Sequence, residues 1–431
     1  MMYKVVSFKI YHFYKMTSSG LTIYVFAHWI GLNGPTFMGH LHVNPNRARR
    51  SFRFEYAQQW LKSSIRFYMD PDLEPYLGAQ YPQGKELFGI FSDSMPDTWG
   101  KTLLKRLEFE NSKKENRKPK KLRHEDFLLG VFDNTRMGAL RFKNDLNGPF
   151  LESNPKLSIP PFSSLPALEH AINQMERDEP SNDFHQWLKL LIAPGSSLGG
   201  ARPKANVLDS QGNLWMAKFP SKYDTVNKSA WEFLAYQLAI DAGIEMSPSK
   251  IRKFGGNHHV FLTKRFDRIK GHRIHFSSSM TLTGNTEEKI QSSPPSYLEL
   301  VDFIESHCTN VKENLVQLWR RLIFNIAISN TDDHLRNHGF LFKDNQWSLS
   351  PCYDVNPNNE KVGLSLNIDL QNNALDFELA KSVGAFFRLS QKEMNAVYDE
   401  VINSVKRWKK TAQKIGISSK EQDLMASAFH C

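Results

Sequence analysis

The strongest constraint on this sequence is a helical stripe that ends in a polar segment. Over residues 311–328 apolar side chains recur at helical spacing, which predicts a buried helix. The chain then reaches Asp332, Asn337 follows five residues later, and Asp354 follows seventeen residues after that. Asp332 is therefore expected in a loop at the end of a buried helix.

An Asp, an Asn and a second Asp in this order match the polar residues of a phosphoryl-transfer site. In a kinase the first Asp accepts the hydroxyl proton, and the Asn and the second Asp hold metal ions. Magnesium needs few protein oxygens once nucleotide phosphates supply theirs. Asp332, Asn337 and Asp354 fit these roles, although Asp and Asn are also common in turns and helix caps.

A lysine and a glutamate supply a second part of the pattern. Lys218 lies near the end of a predicted strand at 214–219, flanked by apolar residues, and a buried ammonium needs a charge partner. Glu232, in a helix predicted at 230–242, is the expected partner. A strand lysine paired with a helix glutamate belongs to kinase architecture. The alternative is a lysine at an exposed strand end.

Three other segments are open to more than one interpretation. The small-residue loop at 195–204 lets backbone amides approach phosphates, but its spacing is neither Walker nor Rossmann and equally suits a surface loop. The strand predicted at 259–266 places Phe266 where it could contact adenine, although Arg265 or Arg268 could simply pair with Asp267. His334 and His338 fall in a loop without a completing Glu, which disfavours zinc.

The chain divides at stretches that sustain neither helix nor strand. Its 431 residues suggest two domains, or one large two-lobed domain. We predict an unstructured or misassigned leader at 1–20, a first unit at 21–143 that opens with a hairpin, a Pro-rich linker at 144–166, and a second unit at 167–431. The second unit contains a nucleotide-binding part at about 190–270 and a helical catalytic part at about 297–431. Residues 277–296 are predicted to form a long loop.

Composition favours a cytoplasmic protein with a basic first third. Three cysteines without metal-type spacing argue for a reducing compartment, and no apolar run is long enough to cross a bilayer. Residues 1–150 hold 23 Lys and Arg against 14 Asp and Glu. Much of this charge lies in 113–123, which fits either a solvated face or contact with nucleic-acid phosphates.

Several motifs together resemble one known family. The chain is similar to the HipA family of serine/threonine kinase toxins over nearly its whole length, beyond residues 1–20. The resemblance is carried by SLGGARPK at 197–204, RFDR at 265–268, NTDDHLRN at 330–337 and PCYD at 351–354. It implies an α+β fold with two kinase-like lobes, a small N-terminal α/β subdomain and a mainly helical C-terminal lobe.

The resemblance also implies roles for particular residues. Asp332 would be the catalytic base, Asn337 and Asp354 the Mg²⁺ ligands, Glu232 a supporting residue, and Ser197 or its neighbour Ser196 the site of autophosphorylation. The ATP-binding residues would be Ser197, Gly199, Gly200, Lys204, Lys218, Lys264, Phe266, His334 and Asn337.

Family membership further implies partners and a biological outcome. The expected partners are a HipB-like helix-turn-helix antitoxin, operator DNA through that complex, and a translation-related protein substrate such as an aminoacyl-tRNA synthetase, with persistence as the result. Two rival functions remain from the residues alone. One is a small-molecule phosphotransferase with a kinase-like fold, and the other is an antitoxin-dependent DNA-binding corepressor.

Overall fold

The structure is a computed structural model that describes residues 20–45, 50–65, 68–151, 159–177, 184–192 and 200–431. The fold mixes helices with antiparallel sheets, in agreement with the predicted α+β class. Nearly all of the predicted leader lies outside the described residues.

The first part of the chain forms a four-stranded antiparallel sheet with four helices. Its elements are β1 (Leu21–Ala27), β2 (Thr36–Pro45), β3 (Arg50–Tyr56), α1 (Gln58–Lys62), α2 (Gly89–Ser92), α3 (Thr98–Lys114), α4 (His124–Leu129) and β4 (Leu140–Lys143). The strand order is β3-β2-β1-β4. The predicted opening hairpin is confirmed, because β1 and β2 pair from Leu21 with Val43 to Ala27 with Thr36.

Two helices and a second antiparallel sheet follow. They are α5 (Leu165–Arg177), α6 (Phe184–Ile192), β5 (Lys204–Leu208), β6 (Leu214–Lys218), α7 (Lys228–Asp241), β7 (Ser249–Arg252) and β8 (Val260–Lys264). The strand order is β5-β6-β8-β7. Helix α7 ends just before Gly243, whose φ of +76° is readily adopted by glycine.

The remaining elements are mostly helices around a small sheet. They are β9 (Arg268–Ile269), β10 (His272–Arg273), β11 (His275–Ser278), α8 (Ser279–Leu282), α9 (Glu287–Ser292), α10 (Tyr297–His307), α11 (Val311–Ala327), β12 (Gly339–Lys343), β13 (Gln346–Leu349), α12 (Phe377–Ser382), α13 (Gln391–Val405), α14 (Trp408–Ile415) and α15 (Ser419–Met425). The strand order of this sheet is β11-β12-β13.

The prediction of a long loop at 277–296 is wrong. The segment begins in β11 and forms α8 and α9. Ser277 and Ser278 are buried, and the hydroxyl of each donates a hydrogen bond to the Asp93 carboxylate, at 2.9 and 2.7 Å. The serine-rich composition therefore led to a wrong prediction of an exposed loop. These hydroxyl groups can be buried because a carboxylate distant in sequence accepts their hydrogen bonds.

Helix α11 lies in the predicted catalytic part and is mostly buried. Leu315, Leu318, Leu322 and Ile323 are fully buried on it, and each such side chain contributes roughly 1.5–3 kcal/mol when removed from water. The helix ends at Ala327, and Ser329 then takes a left-handed φ of +49°. This backbone turn directs the chain out of the core and into the loop that carries Asp332.

The first part of the chain packs closely against the second sheet. Helix α3 shares an apolar cluster with α5, α6 and strands β5, β6 and β8. Trp99 Nε1 donates to the Lys204 carbonyl at 3.0 Å, and the Gly138 N–H donates to Asp267 at 2.8 Å. The division of the chain at 144–166 stays a prediction, and these contacts show that α3 borders the predicted nucleotide-binding part.

Candidate active site

Three charged side chains meet at the end of strand β6. Lys218 Nζ donates to Glu232 Oε1 and to Asp354 Oδ1, at 2.6 Å each. The Lys218 side chain is only 8% exposed. Burial alone would lower its pKa, but the two carboxylates raise that pKa above the ordinary value. The ammonium is therefore held charged at a fixed point between α7 and the loop at Asp354.

Asp354 has both an unusual backbone and a strongly acidic side chain. Its φ of +57° lies in the left-handed region that most residues avoid. Burial would raise its pKa, but the charge and hydrogen bond of Lys218 lower it to about 2. Asp354 therefore stays a carboxylate at neutral pH, as a metal ligand must.

The loop after α11 presents one carboxylate to solvent and fixes one amide. The Asp332 side chain is 70% exposed, and Lys361 Nζ lies 3.8 Å from its Oδ1. Asn337 is buried, and its Nδ2 donates to the Asp332 carbonyl at 3.0 Å. This hydrogen bond uses the side-chain nitrogen of Asn337. Its side-chain oxygen can therefore point to a ligand.

A buried polar network beneath this loop was missed by sequence reasoning. The Asp333 carboxylate accepts from the Tyr297 hydroxyl and lies 2.9 Å from His338 Nε2. Asn330 Nδ2 donates to Asn325 Oδ1 at 3.0 Å. Asn330 Oδ1 in turn accepts from the backbone N–H of Asn356 at 3.2 Å, two residues after Asp354.

This network links the loop of Asp332 to the loop of Asp354. Tyr297 and Asn325 lie in α10 and α11, so no local motif identifies them. The one sequence feature that could have indicated this network is Asn325, a polar residue near the end of an otherwise apolar helix. His334, predicted to bind ATP, is half-buried, and no described residue forms a hydrogen bond with its Nδ1.

An apolar cleft extends from Lys218 along the end of strand β8. Its walls include Met216, Tyr236, Met246, Phe261, Phe266 and Val355. The Lys264 N–H donates to the Pro248 carbonyl at 2.9 Å. Proline has no N–H, so Pro248 cannot donate a return bond to the Lys264 carbonyl.

Lys204 lies beside Lys218 but is held by the first part of the chain. The two lysines pair in the β5–β6 register, which places both side chains on one face of the sheet. Lys204 Nζ lies 2.8 Å from Asp97 Oδ2 and 3.3 Å from the Gly200 carbonyl. Asp97, which also caps α3, was not predicted as a site residue.

The predicted glycine loop is only partly described. Ser196, Ser197 and Gly199 lie outside the described residues, while Gly200 has a left-handed φ of +76°. Their roles in phosphate binding and autophosphorylation stay predictions.

Residues 196–409, which contain Lys218, Glu232, Asp332, Asn337 and Asp354, match the family model of the HipA-like C-terminal domain. This part of the chain is therefore a HipA-like C-terminal domain. A solved structure supports the fold: the HipA chain of the Shewanella oneidensis MR-1 complex of HipA, HipB and operator DNA aligns with a TM-score of 0.63 and 17% identity, over 94% of each chain.

Two curated relatives align with parts of the HipA-like chain. A Haemophilus influenzae protein named "Putative kinase" is 25% identical over 43% of this chain and 60% of its own length. The Sinorhizobium fredii protein "Putative kinase Y4mE" is 23% identical over 32% of this chain and 33% of its own length. The chain thus spans less than two thirds of either relative.

The side-chain oxygens at the site of this HipA-like chain suit the binding of a magnesium nucleotide. Asp354 supplies a carboxylate oxygen and Asn337 an amide oxygen, which are ligands that Mg²⁺ prefers. No cluster of three His, Cys, Asp or Glu suited to a metal occurs among the described residues. A magnesium ion bound together with phosphates does not need such a cluster.

The basic segment at 113–123 is partly neutralised. Arg117 pairs with Glu108 and Glu115, and Lys120 Nζ lies 2.5 Å from Asp126. Lys118 and Lys121 are exposed.

The part of the chain that the structure describes contains no helix able to span a membrane.

Replacing Lys218 should destabilise the protein increasingly as the pH rises. In Lys218→Met, Glu232 and Asp354 face each other without a cation, so the pKa values of both in the folded state rise above those of the unfolded chain. Carboxyl groups of this kind cost stability once the pH exceeds their unfolded pKa of about 4. Urea midpoints at pH 4.5 and 7 should diverge from wild type, most at pH 7.

The exposed Lys228, at the first turn of the same helix α7, provides the matched control. Lys228→Met should follow the wild-type midpoints at both pH values. A Lys218→Met midpoint equally displaced at pH 4.5 and 7 would argue against the proposed electrostatic cluster.

Proposed function

We propose that this HipA-like chain is an ATP- and Mg²⁺-dependent protein serine/threonine kinase. The observation that carries the proposal is the contact of Lys218 with Glu232 and Asp354 at the end of an apolar cleft. A fixed ammonium beside a carboxylate of low pKa suits the binding of a metal–phosphate group. The two curated relatives named as kinases support the same class of reaction.

Each element of the site has a proposed role. Lys218 binds phosphate oxygens, Glu232 keeps it in position, and Asn337 and Asp354 hold Mg²⁺, which neutralises charge on the phosphates. Asp332 orients the attacking hydroxyl and accepts its proton.

Nucleotide recognition involves the cleft and the loops around it. The Lys264 carbonyl, to which Pro248 cannot donate, suits the exocyclic amine of adenine, and Phe266 forms part of the wall that contacts the base. Lys204, His334 and the loop of Ser197, Gly199 and Gly200 lie toward the phosphates in this proposal.

We also propose that the chain acts as the toxin of a toxin–antitoxin pair in the cytoplasm. The Shewanella structure contains HipA with HipB and operator DNA, which supports a HipB-like helix-turn-helix antitoxin and operator DNA as partners here. The proposed substrate is a translation-related protein such as an aminoacyl-tRNA synthetase. Cys308, Cys352 and Cys431 are free thiols, in keeping with a reducing compartment.

Intact mass spectrometry after incubation with ATP and Mg²⁺ tests this function. Wild type should gain one phosphoryl group that maps to Ser197 or Ser196, since these serines lie in the proposed phosphate loop. The variant Ser196→Ala/Ser197→Ala should remain unmodified while still binding ATP. Wild type that binds ATP but is never modified, and that phosphorylates a metabolite, would favour a small-molecule transferase.

A further inference from the structure

A second cavity, of about 170 Å³, adjoins the end of strand β8 at Lys264. It lies between the β5–β6 turn, the β9–β10 hairpin and Asn134 of the first part of the chain. Four cationic side chains line it, namely Lys264, Arg268, Lys270 and Arg273. Lys264 also lines the nucleotide cleft, so the two cavities share the end of β8.

Within the described part of the chain, the cationic side chains around this cavity outnumber the carboxylates that pair with them. Asp267 pairs with Arg268 at 2.6 Å, and Asp133 with Arg273 at 3.2 Å. Each carboxylate is also shared with another guanidinium, because Arg265 binds Asp267 and Arg141 binds Asp133. Two carboxylates thus serve four arginines, and neither one bonds Lys264 or Lys270.

One buried arginine, Arg273, carries donor capacity that the described residues leave unused, whereas both terminal nitrogens of Arg268 already donate hydrogen bonds. Arg273 is buried, and its Nη1 has no hydrogen-bond partner among the described residues. Burial lowers the pKa of Arg268 to about 9 and that of Arg273 to about 10, although Asp267 and Asp133 act in the opposite direction. Both shifts indicate that the neighbouring carboxylates compensate these cations incompletely.

We propose that this cavity binds a soluble small molecule bearing two or more phosphate groups. Arginine and lysine are the side chains that bind multiply charged phosphate oxygens, and the side-chain amide of Asn134 adds a hydrogen-bonding group. The lining of this cavity overlaps that of the nucleotide cleft at Lys264. Because Lys264 faces both, occupancy of the cavity is expected to alter nucleotide affinity.

The test uses pyrophosphate as the probe and the full chain in isothermal titration calorimetry. The cavity variant is Lys264→Gln/Lys270→Asn. Lys270 has a left-handed φ of +47°, which asparagine tolerates. Neither lysine forms an ion pair with the carboxylates of Asp267 and Asp133, which bind arginines instead. Loss of two charge-assisted contacts should weaken pyrophosphate binding by at least about tenfold.

Two control variants make the result decisive. Lys392→Asn removes an exposed charge on α13, remote from the cavity, and should bind pyrophosphate as wild type does. Lys218→Gln alters the nucleotide cleft alone and should retain at least one pyrophosphate site. The proposal is overturned if the cavity variant binds like wild type, or if Lys218→Gln abolishes all pyrophosphate binding.

Discussion

Asp332→Asn should abolish phosphoryl transfer while leaving the fold intact. Asp332 is largely exposed, and its contact with Lys361 is a surface ion pair worth no more than about 1 kcal/mol. Loss of a general base typically costs about 10²–10⁴-fold in rate. Transfer of phosphate from ATP to protein, measured with labelled nucleotide, should fall by that factor, while the urea midpoint stays at the wild-type value.

Substitutions of two other aspartates separate the loss of a catalytic group from general effects of charge or stability. Asp399→Asn changes an exposed carboxylate on α13 and should leave both rate and midpoint unchanged. Asp333→Asn, one residue from Asp332, disturbs the buried contacts to Tyr297 and His338 and should lower the midpoint. A stable Asp332→Asn protein with the wild-type transfer rate would refute the assignment of Asp332 as the base.

The features that sequence predicted well are those encoded locally. The stripe of Leu315, Leu318 and Leu322 predicts α11 because helical periodicity depends on neighbouring residues alone. The hairpin of β1 and β2 follows from alternation around a glycine turn. The Lys218–Glu232 contact was expected because a lysine inside an apolar strand needs the nearest available carboxylate.

The features that sequence did not predict depend on contacts between distant segments. Asp97 meets Lys204 across 107 positions, and Ser278 meets Asp93 across 185. No spacing rule connects such residues, because only the packing of α3 and β11 against their neighbours brings them together. The same limit hid the Asn330–Asn356 contact, which joins the two loops of the site.

Asp267→Asn should cause the largest loss of stability of any conservative substitution considered for this protein. The Asp267 side chain is fully buried and accepts from Arg265 Nη2 and Arg268 Nη1 at 2.6 Å each, and from the Gly138 N–H at 2.8 Å. Removing one partner of a buried ion pair costs about 3–5 kcal/mol because the remaining charges stay desolvated. Urea unfolding at pH 7 should show a loss of that size.

The pH dependence of this loss separates charge from packing. Burial would raise the pKa of Asp267, but Arg265 and Arg268 lower it to about 2. A depressed carboxyl pKa contributes stability above the unfolded value of about 4, and this contribution disappears as the pH falls towards 2. The difference between wild type and Asp267→Asn should therefore shrink below pH 4.

The exposed pair of Glu305 with Arg388 is the matched control, and Glu305→Gln should cost under about 1 kcal/mol at pH 7. An Asp267→Asn penalty that is equally small, or that does not change with pH, would show that the charge of Asp267 does not hold Arg265 and Arg268 against the first part of the chain.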